Sequence, residues 1–156
     1  MSLLPLFEWM EAVPMFDDSW QYVGPAFNLV HLLSMVVFVG AMLMVDLRLL
    51  GQVLPRRPVA QIAREAQPWL VGGFLMLVAT GVPAMIATAL GQYYNPVFWF
   101  KMYVLLAATV FTFTIRHTVA RADEARVGAV WGKVVALLSI GLWATVAASA
   151  RLIMLL

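Results

Sequence analysis

Residues 28–51, NLVHLLSMVVFVGAMLMVDLRLLG, form an apolar run of membrane-spanning length, and the chain holds four such runs. They cover roughly Pro25–Leu50, Trp69–Leu90, Pro96–Ile115 and Ala129–Leu156. Each is close to the ~20 residues a helix needs to cross ~30 Å of hydrocarbon. Membrane β-strands would be about half as long and would alternate polar with apolar side chains. Composition agrees, with 63% of the 156 residues hydrophobic and 12% charged, against about 45–50% and about 25% in soluble domains. The expected fold is all-α, an integral membrane four-helix bundle. It takes up residues 1–156 as one domain, with residues 1–22 as a short interfacial amphipathic helix.

The absence of cysteine excludes disulfides, thiolate metal sites and iron–sulfur clusters. No P-loop, zinc-protease helix, nucleophile elbow or Gly-rich dinucleotide turn occurs. The acidic residues offer no pair that can be placed in one cleft, so hydrolytic chemistry finds no support. The first 20 residues lack a basic start and a small-residue cleavage site, so they read as mature protein.

The pI near 9.3 reads as membrane topology rather than as attraction to nucleic acid. Arg48, Arg56, Arg57 and Arg64 lie between the first and second spans, and Arg116, Arg121, Arg126 and Lys133 between the third and fourth. Both groups fall on one side, which the positive-inside rule makes cytoplasmic. The expected setting is the bacterial inner membrane, with N- and C-termini periplasmic. The opening segment, interrupted at Pro14 and carrying Glu8, Glu11, Asp17 and Asp18, would lie on the outer surface. Trp20, Tyr22, Tyr93, Tyr94 and Trp99 suit an outer aromatic belt, with Trp69 and Trp131 on the inner one.

The other two basic residues, Lys101 and Arg151, fall on the outer side, as does His31. At ~1.5 Å per residue the three share a similar depth. An ionisable group inside a span is a functional candidate by default, because exposing it to lipid costs about 2.5 kcal/mol or more. Asn28, Ser34 and Met35 lie three or four residues from His31 and share its helix face. Met85 and Met102 reach the same level, and Asn95 opens the third span one turn before Lys101. Three uses fit these groups. Haem b could take His31 as axial ligand, with a methionine (Met85 or Met102), Lys101 or nothing opposite, while Arg151 or Lys101 pairs with a propionate. Copper could use His31 and Met35 with another thioether. A quinone could hydrogen-bond to His31 while a cation steadies its oxygen. Set against these, Lys101 and Arg151 can snorkel to headgroups, His31 can be satisfied by a neighbouring helix, and methionines at helical spacing are more often packing than ligands.

His117 sits ~25 Å from the level of His31 by the helical rise, so one haem cannot be held by both; a structural or interfacial role is expected for it. Asp46 lies in the last turn of the first span, where the helix dipole disfavours an anion. It is expected to pair with Arg48, Arg64 or Arg116. Gly72, Gly73, Thr80, Gly81, Ala84 and Ala87 in the second span form a close-packing surface, as do Gly132, Ala136, Ser139, Gly141, Ala144, Ala147, Ala148 and Ser149 in the fourth. A homo-oligomer through such faces is an expectation. Pro83 is expected to kink the second span.

The stretches HLLSMVVFVGAMLMVDLRLLG, PWLVGGFLMLVATGV and YYNPVFWFKMYVLL resemble small four-helix bacterial proteins of unknown function related to the CopD-type copper-resistance domain. That wider group includes the HemJ-type protoporphyrinogen oxidase, a haem protein with a histidine on its first helix and a lysine on its third. The resemblance covers most of residues 5–154 and implies that His31 and Lys101 occupy those positions. The arginine- and asparagine-containing stretch of that oxidase is not present near the fourth span, so its enzyme activity does not carry over. The leading expectation is a redox module holding haem b in its periplasmic half and exchanging electrons with quinone or a periplasmic partner. Copper transport through His31, Met35, Met85 and Met102 is the alternative. A cofactor-free scaffold or accessory subunit is the third.

Overall fold

The computed structural model describes residues 3–13, 20–122, 128–153 and 155. Pro14, Asp17, Asp18 and Arg126 lie outside the described residues. The elements in chain order are α1 (Leu4–Glu11), α2 (Trp20–Leu49), α3 (Val59–Ile86), α4 (Ala89–Tyr93), α5 (Pro96–Phe111), a π-helical turn (Thr112–Arg116), α6 (His117–Arg121) and α7 (Ala129–Ile153). No strand occurs among the described residues. Four helices are long and apolar enough to cross a membrane: α2, α3, the continuous rod Pro96–Arg121, and α7. The chain is thus a four-helix, multi-pass membrane protein. Only 17–28% of each span's apolar window is buried inside the protein, so most of that surface faces the bilayer rather than a neighbour.

The helices differ from the apolar runs in instructive ways. α3 begins at Val59, ahead of the polar stretch QIAREAQ, because Val59, Ile62, Ala63, Ala66 and Leu70 keep one helical stripe buried through it. An apolar run marks what lipid covers, and that is not where a helix has to start. At its far end α3 stops at Ile86 rather than Leu90. Thr88 leaves helical geometry (φ −134°) and the chain re-forms as the short α4. The third span continues past Ile115 to Arg121 through the π turn, which places His117 in a helix and not in a loop. α2 ends in a Schellman closure: Gly51 takes a left-handed φ of 80°, Gln52 N–H donates to Leu47 O and Gly51 N–H to Arg48 O.

α2 packs against α3 and α7, α5 against α7, and α6 against α3, which closes the bundle. The central core joins Phe38 and Met42 of α2, Leu70 of α3, Ala108 of α5, and Trp143 and Val146 of α7. The closest approach is at Gly73, where an added Cβ would meet the Phe38 backbone nitrogen at 3.0 Å. Gly72, one residue earlier, faces open space. The small residues of α7 likewise divide, with Gly132, Ala136, Ser139 and Ser149 buried and Gly141, Ala144, Ala147 and Ala148 facing out.

α1 lies across the end opposite the arginine-rich loops, here called the α1 end. Phe7 is buried beside Ala89 and Phe98, with its ring against Tyr93, Phe98 and Trp99. The Glu11 carboxylate accepts the Leu90 N–H at 2.7 Å, capping α4 from another helix. Leu6 and Trp9 remain exposed, as suits a helix resting at a membrane surface.

Candidate functional site

Along α2 from Gln21 to Val37, every position is exposed except Gly24, His31 and Ser34. This half of the helix meets the bundle through His31 and Ser34, which lie three residues apart on one face. Ser34 turns inward and returns its hydroxyl to Val30 O at 2.7 Å. His31 reaches across to α3, with its Nδ1 2.8 Å from Thr80 Oγ1. Gly81 makes the approach possible, since a Cβ there would sit 3.3 Å from the ring's Cε1.

Thr80 Oγ1 also lies 2.7 Å from Met76 O and 3.3 Å from Leu77 O, and the Leu77 backbone interacts with the ring as well. When the Thr80 hydroxyl donates to Met76 O it accepts from Nδ1, the tautomer that leaves the lone pair on Nε2. An imidazole oriented by a hydrogen bond at one nitrogen, with the other turned to a metal, is the arrangement found in metal-ligating histidines. Lys101 of α5 is half-buried and stands within electrostatic reach of the ring.

The structure thus brings His31 and Lys101 together. Arg151 is at the same end of the bundle but is exposed on α7, with no ion pair among the described residues. Met85 and Met102 pack in the aromatic cluster around Phe7 and Phe98, where they fill space. Met35 is 37% exposed, so its thioether is not enclosed with the ring. Asn28 is exposed on α2. Asn95 has a local task, accepting the Val97 N–H at 2.9 Å as the N-cap of α5. No group of three or more His, Asp or Glu side chains converges among the described residues.

A second polar site lies at the arginine end. Asp46 is 0% exposed and Arg116 4%. Arg116 Nε donates to Asp46 Oδ1 at 2.7 Å, and Nη2 donates to Met42 O at 2.8 Å. Of the three partners expected for Asp46, the fold selects Arg116. Ser139 of α7 stands beside the same carboxylate, yet its hydroxyl and Asp46 Oδ2 form no hydrogen bond. Thr112, one turn before Arg116, accepts the Trp143 indole N–H at 2.9 Å. Thr112 and Arg116, the two ends of the π turn, both face inward. Such turns are rare and cluster at functional sites.

With both sites placed, comparison adds a family. A family profile matches residues 6–155. The chain belongs to DUF6644, a family of unknown function. No curated protein and no solved structure matches it. For a DUF6644 chain, function has to be argued from its own side chains.

Proposed function

We propose that the protein is a bacterial inner-membrane redox module that holds haem b in the half of the bundle carrying His31. The observation that supports this most is the position of the His31 ring, held at Nδ1 by Thr80 on a stretch of α2 otherwise uncovered by protein. The residues fit such a group in two further ways. The flanks of α2 around His31 are uncovered by protein, which lets a large planar ligand approach along the helix. Lys101 stands within electrostatic reach of the ring and would supply a cation suited to pairing a propionate. Met85 and Met102 are committed to packing, so Lys101 takes precedence over them as a partner of the group. Haem b, when bound, would supply a one-electron carrier. Thr80 orients the ring. The bundle and the α1 cap shield the buried side of the site from water.

The resemblance to CopD-type and HemJ-type proteins, carried by His31 through Arg48 and by Asn95 through Lys101, points the same way. The arginine distribution puts the loop of residues 50–58 in the cytoplasm and His31 toward the periplasm. Electrons would then pass between the quinone pool and a periplasmic partner.

The test is the absorption spectrum of full-length protein expressed with ample haem. A Soret band is expected, reduced at least tenfold in His31→Ala. A missing band, or one unchanged in that variant, overturns the reading. Copper stoichiometry measured on the same sample reads out the copper-handling alternative directly.

A further inference from the structure

At the arginine end a cleft opens between α3 and α6, at the far end of the bundle from His31. Its polar wall is Gln67 of α3 with Arg116, His117 and Arg121; Val45 and Ala63 contribute to its apolar wall. The cleft has about 10 Å³ of free space, which matches one water or one phosphate oxygen.

Three features give this cleft a sign. Arg116 forms part of its wall while being almost fully buried. Its Nε and Nη2 are engaged by Asp46 and Met42, which leaves Nη1 as the donor without a protein acceptor among the described residues. His117 and Arg121 add nitrogen donors, Gln67 adds an amide, and among the described residues no carboxylate lines the cleft. The described carboxylates nearby point elsewhere. Asp46 is bound to Arg116 away from the opening, and Glu65 accepts from Gln61 at 2.9 Å and lies 3.6 Å from Arg57. A cleft with two guanidinium groups, an imidazole and an amide in its wall suits an anion whose oxygens accept from several sides at once.

We propose that this cleft binds the phosphate of an anionic ligand, with one oxygen seated against Arg116 and the others at the mouth between His117, Arg121 and Gln67. The enclosed space is small and open to the outside, so the group sits shallowly and its remaining substituent points outward. A phospholipid headgroup meets that condition, because its acyl chains would run along the lipid-facing sides of α3 and α6. Free phosphate has the same chemistry without the tether.

Full-length protein in detergent is titrated with dioleoylphosphatidylglycerol, dioleoylphosphatidylcholine and inorganic phosphate, with bound ligand counted by native mass spectrometry. The expected result is phosphatidylglycerol retained at least fivefold more tightly than phosphatidylcholine. Preference should fall to within twofold in His117→Gln/Arg121→Gln and stay unchanged in Arg56→Gln/Arg57→Gln, whose charges lie in the loop. Binding of inorganic phosphate with the same dependence on His117 and Arg121 also supports the site and assigns it to a free anion. Equal retention of both lipids with no phosphate binding overturns the proposal. So does a loop variant that loses as much preference as the cleft variant, since the effect would then be diffuse surface charge. If the cleft double variant does not fold, Gln67→Met removes one donor at a non-ionic position and should lower the preference at least twofold; an unchanged preference there counts against the site. Nothing in this test depends on His31.

Discussion

His31 shows how much one hydroxyl can decide. A ring in this position has two tautomers, and a Thr80 hydroxyl that donates to Met76 O selects between them by accepting from Nδ1. Thr80→Val keeps the shape of the side chain and removes the acceptor. Metal-site affinities typically fall about 10–100-fold when such an outer partner is lost, so haem retention in Thr80→Val should drop by that range, measured by titration of the Soret band. Gly81→Ala, with a Cβ 3.3 Å from Cε1, should displace the ring and lower retention in the same assay. Asp46 and Arg116 make the other residue-scale case. Removing one member of a buried pair typically costs about 3–5 kcal/mol, whereas replacing both with apolar groups is often neutral. Arg116→Leu should therefore destabilise the protein more than Asp46→Leu/Arg116→Leu does, as read by reversible unfolding in mixed micelles.

At the scale of elements, α2 and α3 meet on a glycine whose neighbour looks identical in sequence. Gly73 stands against the Phe38 backbone and Gly72 faces open space. Gly73→Ala should cost about 1–3 kcal/mol through overpacking. Gly72→Ala should be neutral or stabilise by up to about 1 kcal/mol, because alanine is the better helix former. Unfolding titrations of the two variants check the contrast. The π turn of the third span carries Arg116, which follows Ala108 and Thr112 on the inward face at four-residue spacing. No residue type in TFTIR announces a π turn, so the sequence placed this segment at the inner headgroups and left Arg116 among three possible partners for Asp46.

For the whole molecule, the two polar sites occupy opposite ends of a bundle whose centre is apolar. Phe38, Met42, Leu70 and Trp143 pack between them, and among the described residues no continuous chain of polar side chains joins His31 to Asp46. The chain has no cysteine, which makes its orientation easy to test. Gln52→Cys in the loop at the arginine end should be labelled by a membrane-impermeant maleimide only after the inner membrane is opened, whereas Tyr94→Cys should be labelled in intact spheroplasts. The reverse pattern would invert the proposed topology and turn His31 toward the cytoplasm.

What the sequence determined by itself was everything governed by transfer from water. Twenty apolar residues in a row have one good solution in lipid, a helix with its backbone bonds closed internally. The number of spans, the ends rich in arginine and the outlying positions of His31, Lys101 and Arg151 all followed from that. What only the tertiary structure decided was rotation about each helix axis and its register against neighbours. Ser34, Thr80, Thr88, Thr145 and Ser149 all return their hydroxyls to a carbonyl in the preceding turn. In one dimension they are equivalent. Thr80 alone among these five also has a lone pair meeting an imidazole, because α3 crosses α2 at that height with Gly81 beside it. Lipid rewards any rotation that keeps apolar groups outside, so the bilayer leaves that angle open. Packing contacts measured in tenths of an ångström close it.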